Sequence, residues 1–182
     1  MTSSTVLLKQ PNKLLTDQPE LPLEDRWNSI GFNIHGIHCV TPIEEVSNIL
    51  SIPDVTPLPC VQPWIKGICG VKGHLLPVID LGVFITGQTL APSSHNRLLT
   101  IEEGKLRAGL LVKGVSSVKQ FPAHALQTAN MPNMPEQLAP FITGYFRQAS
   151  NNKENAASPQ HYLVFSINRL MTDTRFLNGV KD

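Results

Sequence analysis

Between Pro63 and Ile85 the chain reads PWIKGICGVKGHLLPVIDLGVFI, with glycines at 67, 70 and 73 ahead of a β-branched run that ends at Asp80. Glycine alone enters positive φ without steric cost, so this spacing demands a strand, a tight corner and a second strand. Glycines at this spacing also suggest a phosphate cradle. Such a loop needs a helix N-terminus behind it, where free N–H groups converge, whereas here the β-rich HLLPVI follows. The corner is therefore structural, and HLLPVIDLGVFI is expected to form one strand broken at Leu81–Gly82. Asp80 is expected to fix a turn by accepting backbone N–H bonds. A phospho-accepting aspartate would instead need an earlier acidic pair, a later lysine and alternating β and α elements.

The rest of the chain repeats this style of short extended runs between Gly and Pro. WNSIGFNIHGIHCV alternates around His35–Gly36 as a hairpin does. Pro42 opens PIEEVSNIL, where Ile43, Val46, Ile49 and Leu50 recur at helical spacing behind Glu44 and Glu45, which predicts a short helix. Four prolines in 53–63 demand irregular backbone. RLLTIEEGKLRAGLLV predicts a second hairpin turning at Glu103–Gly104, followed by an extended VSSVKQF. Residues 122–140 hold four further prolines, with slight helical potential around Pro135–Leu138. FITGYF and HYLVFSI read as strands separated by SNNKENAASPQ, a polar loop expected to be mobile near 150–160. In NRLMTDTRFLNG, Leu170, Met171, Phe176 and Leu177 are spaced for one short helix ending at Gly179. The polar residues 1–25 are expected to be a flexible tail, leaving 26–178 as the ordered domain. No internal sequence repeat is evident and βαβ alternation is absent, so the fold class is mainly β, a barrel or sandwich with few short helices.

At 182 residues, 41% of them hydrophobic, the chain can bury a real core. A net charge of +1 with no basic cluster argues against nucleic acid or an anionic membrane surface as partner. No apolar run approaches the roughly 20 residues that span a bilayer, and MTSSTVLLKQPNK has no secretory signal pattern. Cys39, Cys60 and Cys69 form no CxxC pair and are read as small buried hydrophobes of a reducing cytoplasm. His35, His38 and Cys39 are the only compact set of potential metal ligands. A strand points positions 35 and 38 to opposite faces, so no metal is expected. Glu44–Glu45 and Glu102–Glu103 are adjacent pairs that diverge, and Ser29, Ser47 and Ser166 lack a GxSxG context. No enzyme motif survives, and no cofactor is implied.

Four segments, IGFNIHGIHCVTPIEEVSNIL, PWIKGICGVKGHLLPVIDL, RAGLLVKGVSSVKQF and FITGYF with LVFSINRLM, resemble in order the motifs of the CheW-like adaptor family. WNSIGFNI, PWIKG, GHLLPVIDL and LAPFITGYF followed by FLNGV are most similar to its twitching-motility branch, which serves the chemosensory array controlling type IV pili. The resemblance implies two small SH3-like β-barrels packed side by side with a hydrophobic groove between them. It implies a non-catalytic cytoplasmic adaptor that couples the tip of a chemoreceptor to the regulatory domain of a CheA-type histidine kinase at membrane receptor arrays, without entering the membrane. The family's receptor-facing positions match Val46, Ile49 and Lys72, and Gly67 and Gly73 of the corner join them as protein-binding candidates. Gly70 departs from the family's usual Asn, Lys72 from its Arg, Gly82 from a frequent Arg and Lys113 from its Asp. Electrostatic contacts are therefore carried over less readily than apolar ones. A small β-barrel binding an oligonucleotide or small ligand has the same element content. It would want aromatics and Lys or Arg on one strand face, whereas the aromatics here, at 6%, are scattered.

Overall fold

The computed structural model describes residues 26–116, 118–148 and 160–180. The expected flexible tail (1–25) and nearly all of the loop near 150–160 lie outside the described residues. The strands are β1 Arg26–Ile34, β2 Ile37–Pro42, β3 Asn48–Leu50, β4 Ile65–Val71, β5 His74–Asp80, β6 Asn96–Glu103, β7 Leu106–Lys113, β8 Val118–Pro122, β9 Ile142–Gln148 and β10 Gln160–Phe165. Three short helices complete the set, α1 Leu81–Thr86, α2 Ile167–Met171 and α3 Thr174–Leu177.

Pairing sorts the strands into two rings. In the first, the order is β3-β6-β7-β5-β4, with β5 and β7 parallel, and Thr56 bridges back to Ile68 of β4. In the second, the order is β8-β1-β2-β10-β9, with β2 and β10 parallel, and Gln127 bridges back to Tyr145 of β9. The closing bridges are reciprocal backbone pairs, at 2.8 and 2.9 Å between Thr56 and Ile68 and 2.9 Å both ways between Gln127 and Tyr145. The rings meet where β1 pairs with β7 at Asn33 and Lys113.

The chain therefore repeats itself: a hairpin (β1–β2, then β6–β7), a short strand (β3, then β8), a closing bridge, a second hairpin (β4–β5, then β9–β10) and a helix (α1, then α2). The first hairpin of each half sits in the ring built by the other half. Detailed contacts repeat as well. Ser47 N–H donates to Thr100 O as Ser116 N–H donates to Gly31 O, both at 2.8 Å. Asp80 N–H donates to Trp64 O at 2.7 Å as Ser166 N–H donates to Phe141 O at 2.8 Å. The repeat is one of backbone and pairing, with little trace in the sequence. In that register identity survives at few positions, among them Pro63, Ile65 and Gly67 against Pro140, Ile142 and Gly144, and Val46-Ser47 against Val115-Ser116.

One large cluster lies between the rings, drawing Ile30, Phe32, Ile34, Leu99, Leu110, Phe141 and Phe165 from both halves. Smaller clusters fill each ring, Cys69, Leu76, Val78 and Leu98 in the first and Val40, Phe121, Phe146, Tyr162 and Val164 in the second. Phe121 and Phe146 stack at 4.4 Å.

The hairpin at His35–Gly36 forms as expected, with φ of 47° and 90° and the Gly36 N–H bonded to Asn33 Oδ1 at 2.7 Å. The hairpin after Glu103 forms too, with Gly104 at φ 60°. Other expectations are corrected. The expected helix over Pro42–Leu50 is a single 3-10 turn, Ile43–Glu45, followed by β3. The edge of β6 captures this backbone at Ser47 and overrides the helical spacing. The long strand through Gly82 stops at Asp80, whose carboxylate accepts the Val83 N–H at 3.1 Å and starts α1. The C-terminal helix is two helices, because Asp173 caps a second start by accepting N–H bonds from Arg175 and Phe176. Slight helicity expected at Pro135–Leu138 resolves into turns, with a 3-10 turn at Ala139–Phe141. Cys39 and Cys69 are buried, but Cys60 is exposed, at φ 54° in a proline-rich loop that has no interior to enter.

Candidate functional site

The short strand β3 is the pivot of the candidate surface. Its pairing to β6 (Ile49 opposite Leu99, Leu50 opposite Leu98) makes it an edge of the first ring, lying alongside β8 of the second. Ile43, Val46 and Ile49 from this segment and Ile30 and Val118 from the second ring line an open groove of about 380 Å³. Ile49 is 41% exposed and Val118 48%, a cost in apolar hydration that packing within the chain does not relieve. Val46 is half-buried and touches the central core, so it serves as both wall and floor. Val46 and Ile49 therefore share one groove, although no helix brings them together.

Lys72 lies on the other flank of the same strand. It occupies the corner between β4 and β5 at φ 48°, ahead of Gly73 at φ 81°, and its Nζ donates to Asn48 Oδ1 at 2.7 Å. That bond ties the corner to β3, one residue from Ile49. Gly67 is buried, at φ 143°, where a Cβ would run into the Thr56 carbonyl that closes the first ring. Its role is close backbone approach. Gly73 and Gly70 are exposed with open space around them. Val46, Ile49 and Lys72 are thus brought around one strand, whereas Gly67 is set back beneath the corner. Ile30, Ile43 and Val118 were missed as groove residues. They meet only through the pairing of β1 with β8 and the approach of β3, and no local pattern signals that.

The remaining polar groups are engaged in structure. Asp80, fully buried, caps α1 and pairs with Lys66 Nζ at 3.4 Å. Gly82 leaves room for the bond between His35 Nε2 and Gln88 O at 2.8 Å, since a Cβ there would meet the imidazole at 2.6 Å. His35 and His38 diverge, the latter lying 5.7 Å from the Tyr162 ring. Burial raises the Cys39 and Cys69 thiols above their ordinary range, which keeps them protonated at neutral pH. Among the described residues, no group of three or more His, Cys, Asp or Glu side chains is placed to hold a metal ion. No helix among them is long and apolar enough to cross a membrane.

Known proteins share this architecture and sequence pattern. The scaffolding protein TtCheW from Thermoanaerobacter tengcongensis matches in structure with a TM-score of 0.65 over 84% of this chain and 91% of that one, at 17% identity. In sequence, the chain is 35% identical to Protein PilI of Pseudomonas aeruginosa over 153 residues, which is 84% of this chain and 79% of that protein. It is 26% identical to the chemotaxis protein CheW of Klebsiella aerogenes over 115 residues, 63% of each chain. The model of the CheW-like domain matches residues 28–175, a span that takes in both rings, the groove beside β3 and the corner at Lys72. With two rings of matching strand order and a sequence match across both, the chain belongs to the CheW-like family.

Proposed function

We propose that this protein is a non-catalytic scaffold coupling the cytoplasmic tip of a chemoreceptor to the regulatory domain of a CheA-type histidine kinase, in a cytoplasmic array that controls type IV pili and twitching motility. The likeness to Protein PilI across four-fifths of both chains supports the branch. The observation that carries the reading is the open apolar groove between the rings, lined by Val46, Ile49 and Val118. A receptor tip is a helical hairpin, and apolar side chains one helical turn apart would seat in such a groove. Lys72, held beside it by Asn48, supplies a positive rim that orients the partner more than it tightens binding. Gly73 contributes by shaping the corner that carries Lys72, and Gly67 by letting β4 approach Thr56 where the first ring closes.

The test is capture of a purified receptor cytoplasmic fragment and a kinase regulatory domain by wild type, Ile49→Asp, Val46→Asp and Lys72→Glu. Ile49→Asp is expected to leave the melting temperature within a few degrees, because Ile49 is partly in water already, and to abolish receptor capture. Val46→Asp should also abolish it at a stability cost of about 2 kcal/mol. Lys72→Glu should weaken capture several-fold, more so at low salt. Receptor capture by folded Ile49→Asp at wild-type affinity would remove the groove from the model.

A further inference from the structure

The internal repeat superimposes two surface clefts, one at the mouth of each ring. In the first ring it is lined by Ser47, Thr100, Glu102, Arg107 and Leu76, with Lys72 beside them. Strand pairing makes their counterparts Ser116, Gly31, Asn33, His38 and Tyr162, which line a cleft of about 490 Å³ in the second ring together with Lys113 and Lys119. The charges differ. In the first cleft Arg107 pairs with Glu102 at 2.7 Å, and Lys72 is bonded to Asn48. In the second, Asn33 stands where Glu102 stands and His38 where Arg107 does, each pair directly opposite across its hairpin. Two further cations are added and, among the described residues, no acid lines the cleft. Among the described residues neither Lys113 nor Lys119 has a carboxylate within ion-pairing distance. Lys119 Nζ rests 4.7 Å from the centre of the Tyr162 ring, and the Ser116 hydroxyl is buried without a hydrogen-bond partner among the described residues.

We infer that the second cleft is a docking site for an acidic peptide segment of a protein partner, with carboxylates set against Lys113 and Lys119 on its rim. Two lysines with no carboxylate beside them among the described residues are complemented by an anionic partner. Among the described residues the cleft has lysines and no arginine, so it offers point charges rather than the planar fork of a guanidinium. Its volume, about 490 Å³, and the Tyr162 ring suit a run of several residues rather than one small ion. The field is felt within the protein, since His38 is held below its ordinary 6.5 by burial and then by Lys119. That the partner is a protein rests on the scaffold reading. The cleft is distinct from the groove beside β3.

The test uses the full chain and a fluorescent hexaglutamate peptide, read by anisotropy at 50 and 300 mM salt, with inorganic phosphate as competitor. Binding is expected at low salt and should weaken at least tenfold in Lys113→Glu and in Lys119→Gln. It should be unchanged in Lys105→Glu, which alters an exposed turn elsewhere. Both cleft variants should melt as wild type does, Lys113 being an exposed strand end. Three results overturn the proposal: no binding at 50 mM salt, equal loss in Lys105→Glu, which would mean a diffuse field, or displacement by millimolar phosphate, which would make a small anion the ligand. The assay contains no receptor or kinase, so its failure is separate from failure of the groove to capture them.

Discussion

The bulge that opens β4 carries Lys66, and the one that opens β9 carries Thr143. Lys66 reaches the buried carboxylate of Asp80, the cap of α1, whereas Thr143 Oγ1 donates to Val164 O at 3.4 Å and the corresponding cap of α2 is the neutral Ser166. The backbones agree while the chemistry does not. Each bulge is followed by a glycine against the closing bridge, Gly67 against Thr56 and Gly144 against Gln127, so the shape is set by close approach and capping rather than by charge. The ion pair in the first ring is an addition to a frame that stands without one in the second. Freed of the task of shaping backbone, side-chain charge can diverge between the rings, as the two clefts show.

The sharpest way to break this equivalence is at the glycines. Gly67→Ala combines positive φ with a collision against backbone and is expected to cost about 3 kcal/mol or more, read by denaturant unfolding. Gly144→Ala meets the Gln127 carbonyl at 2.8 Å and the Leu126 side chain without positive φ, and should cost about 1–2 kcal/mol. A larger loss at Gly144 would mean that the second ring, not the first, depends more on close approach.

Next come the bulged residues. Lys66→Ala leaves the Asp80 carboxylate buried without its counterion, and with Lys66 34% exposed the discounted cost is about 1–2 kcal/mol. Thr143→Ala should fall within about 0.5 kcal/mol of wild type. Equal costs would show that the charged pair is no more than an ornament on the first ring.

The smallest effect is a titration. His38 has its pKa lowered from 6.5, chiefly by burial and secondarily by Lys119, so the folded chain favours the neutral imidazole. Its contribution to stability is full above about 6.5 and is lost as pH falls through the lower folded value. An NMR titration of the His38 ring should show an apparent pKa below 6.5, rising in Lys119→Gln without reaching that value, because burial remains. A wild-type value at or above 6.5 would contradict the electropositive cleft.

How much of this was legible depends on distance along the chain. The turns at His35–Gly36 and after Glu103 were readable because the residues that demand positive φ sit inside them. The corner was readable at Gly73 for the same reason, but Gly67 and Gly70, expected in the same corner, lie within β4. Helix α1 escaped because LGVFIT looks like strand, although Asp80 ahead of it and Gly87 behind it bracket a helix as cap and stop. Over Ile43–Leu50 the periodicity was real, but a partner strand some fifty positions later decided the outcome. Val46 and Ile49 were found through family resemblance. Ile30 and Val118 share their groove with no local signature, since contact across the sheet is what unites them.

The exchange of hairpins between the halves has a topological consequence. A half-chain, β1 through α1 or β6 through α2, would own three strands of one ring and two of the other, and could complete neither. Two copies of one half would resolve this by trading hairpins across a two-fold axis, which makes the present molecule equivalent to a swapped dimer tethered through residues 87–95. Cutting that tether would leave each fragment clasped by the other's hairpin, so separation would require melting both rings at once. The two rings share one core cluster and one strand pairing across their seam. A pull on either ring is transmitted across the shared seam, which suits the scaffold role proposed above.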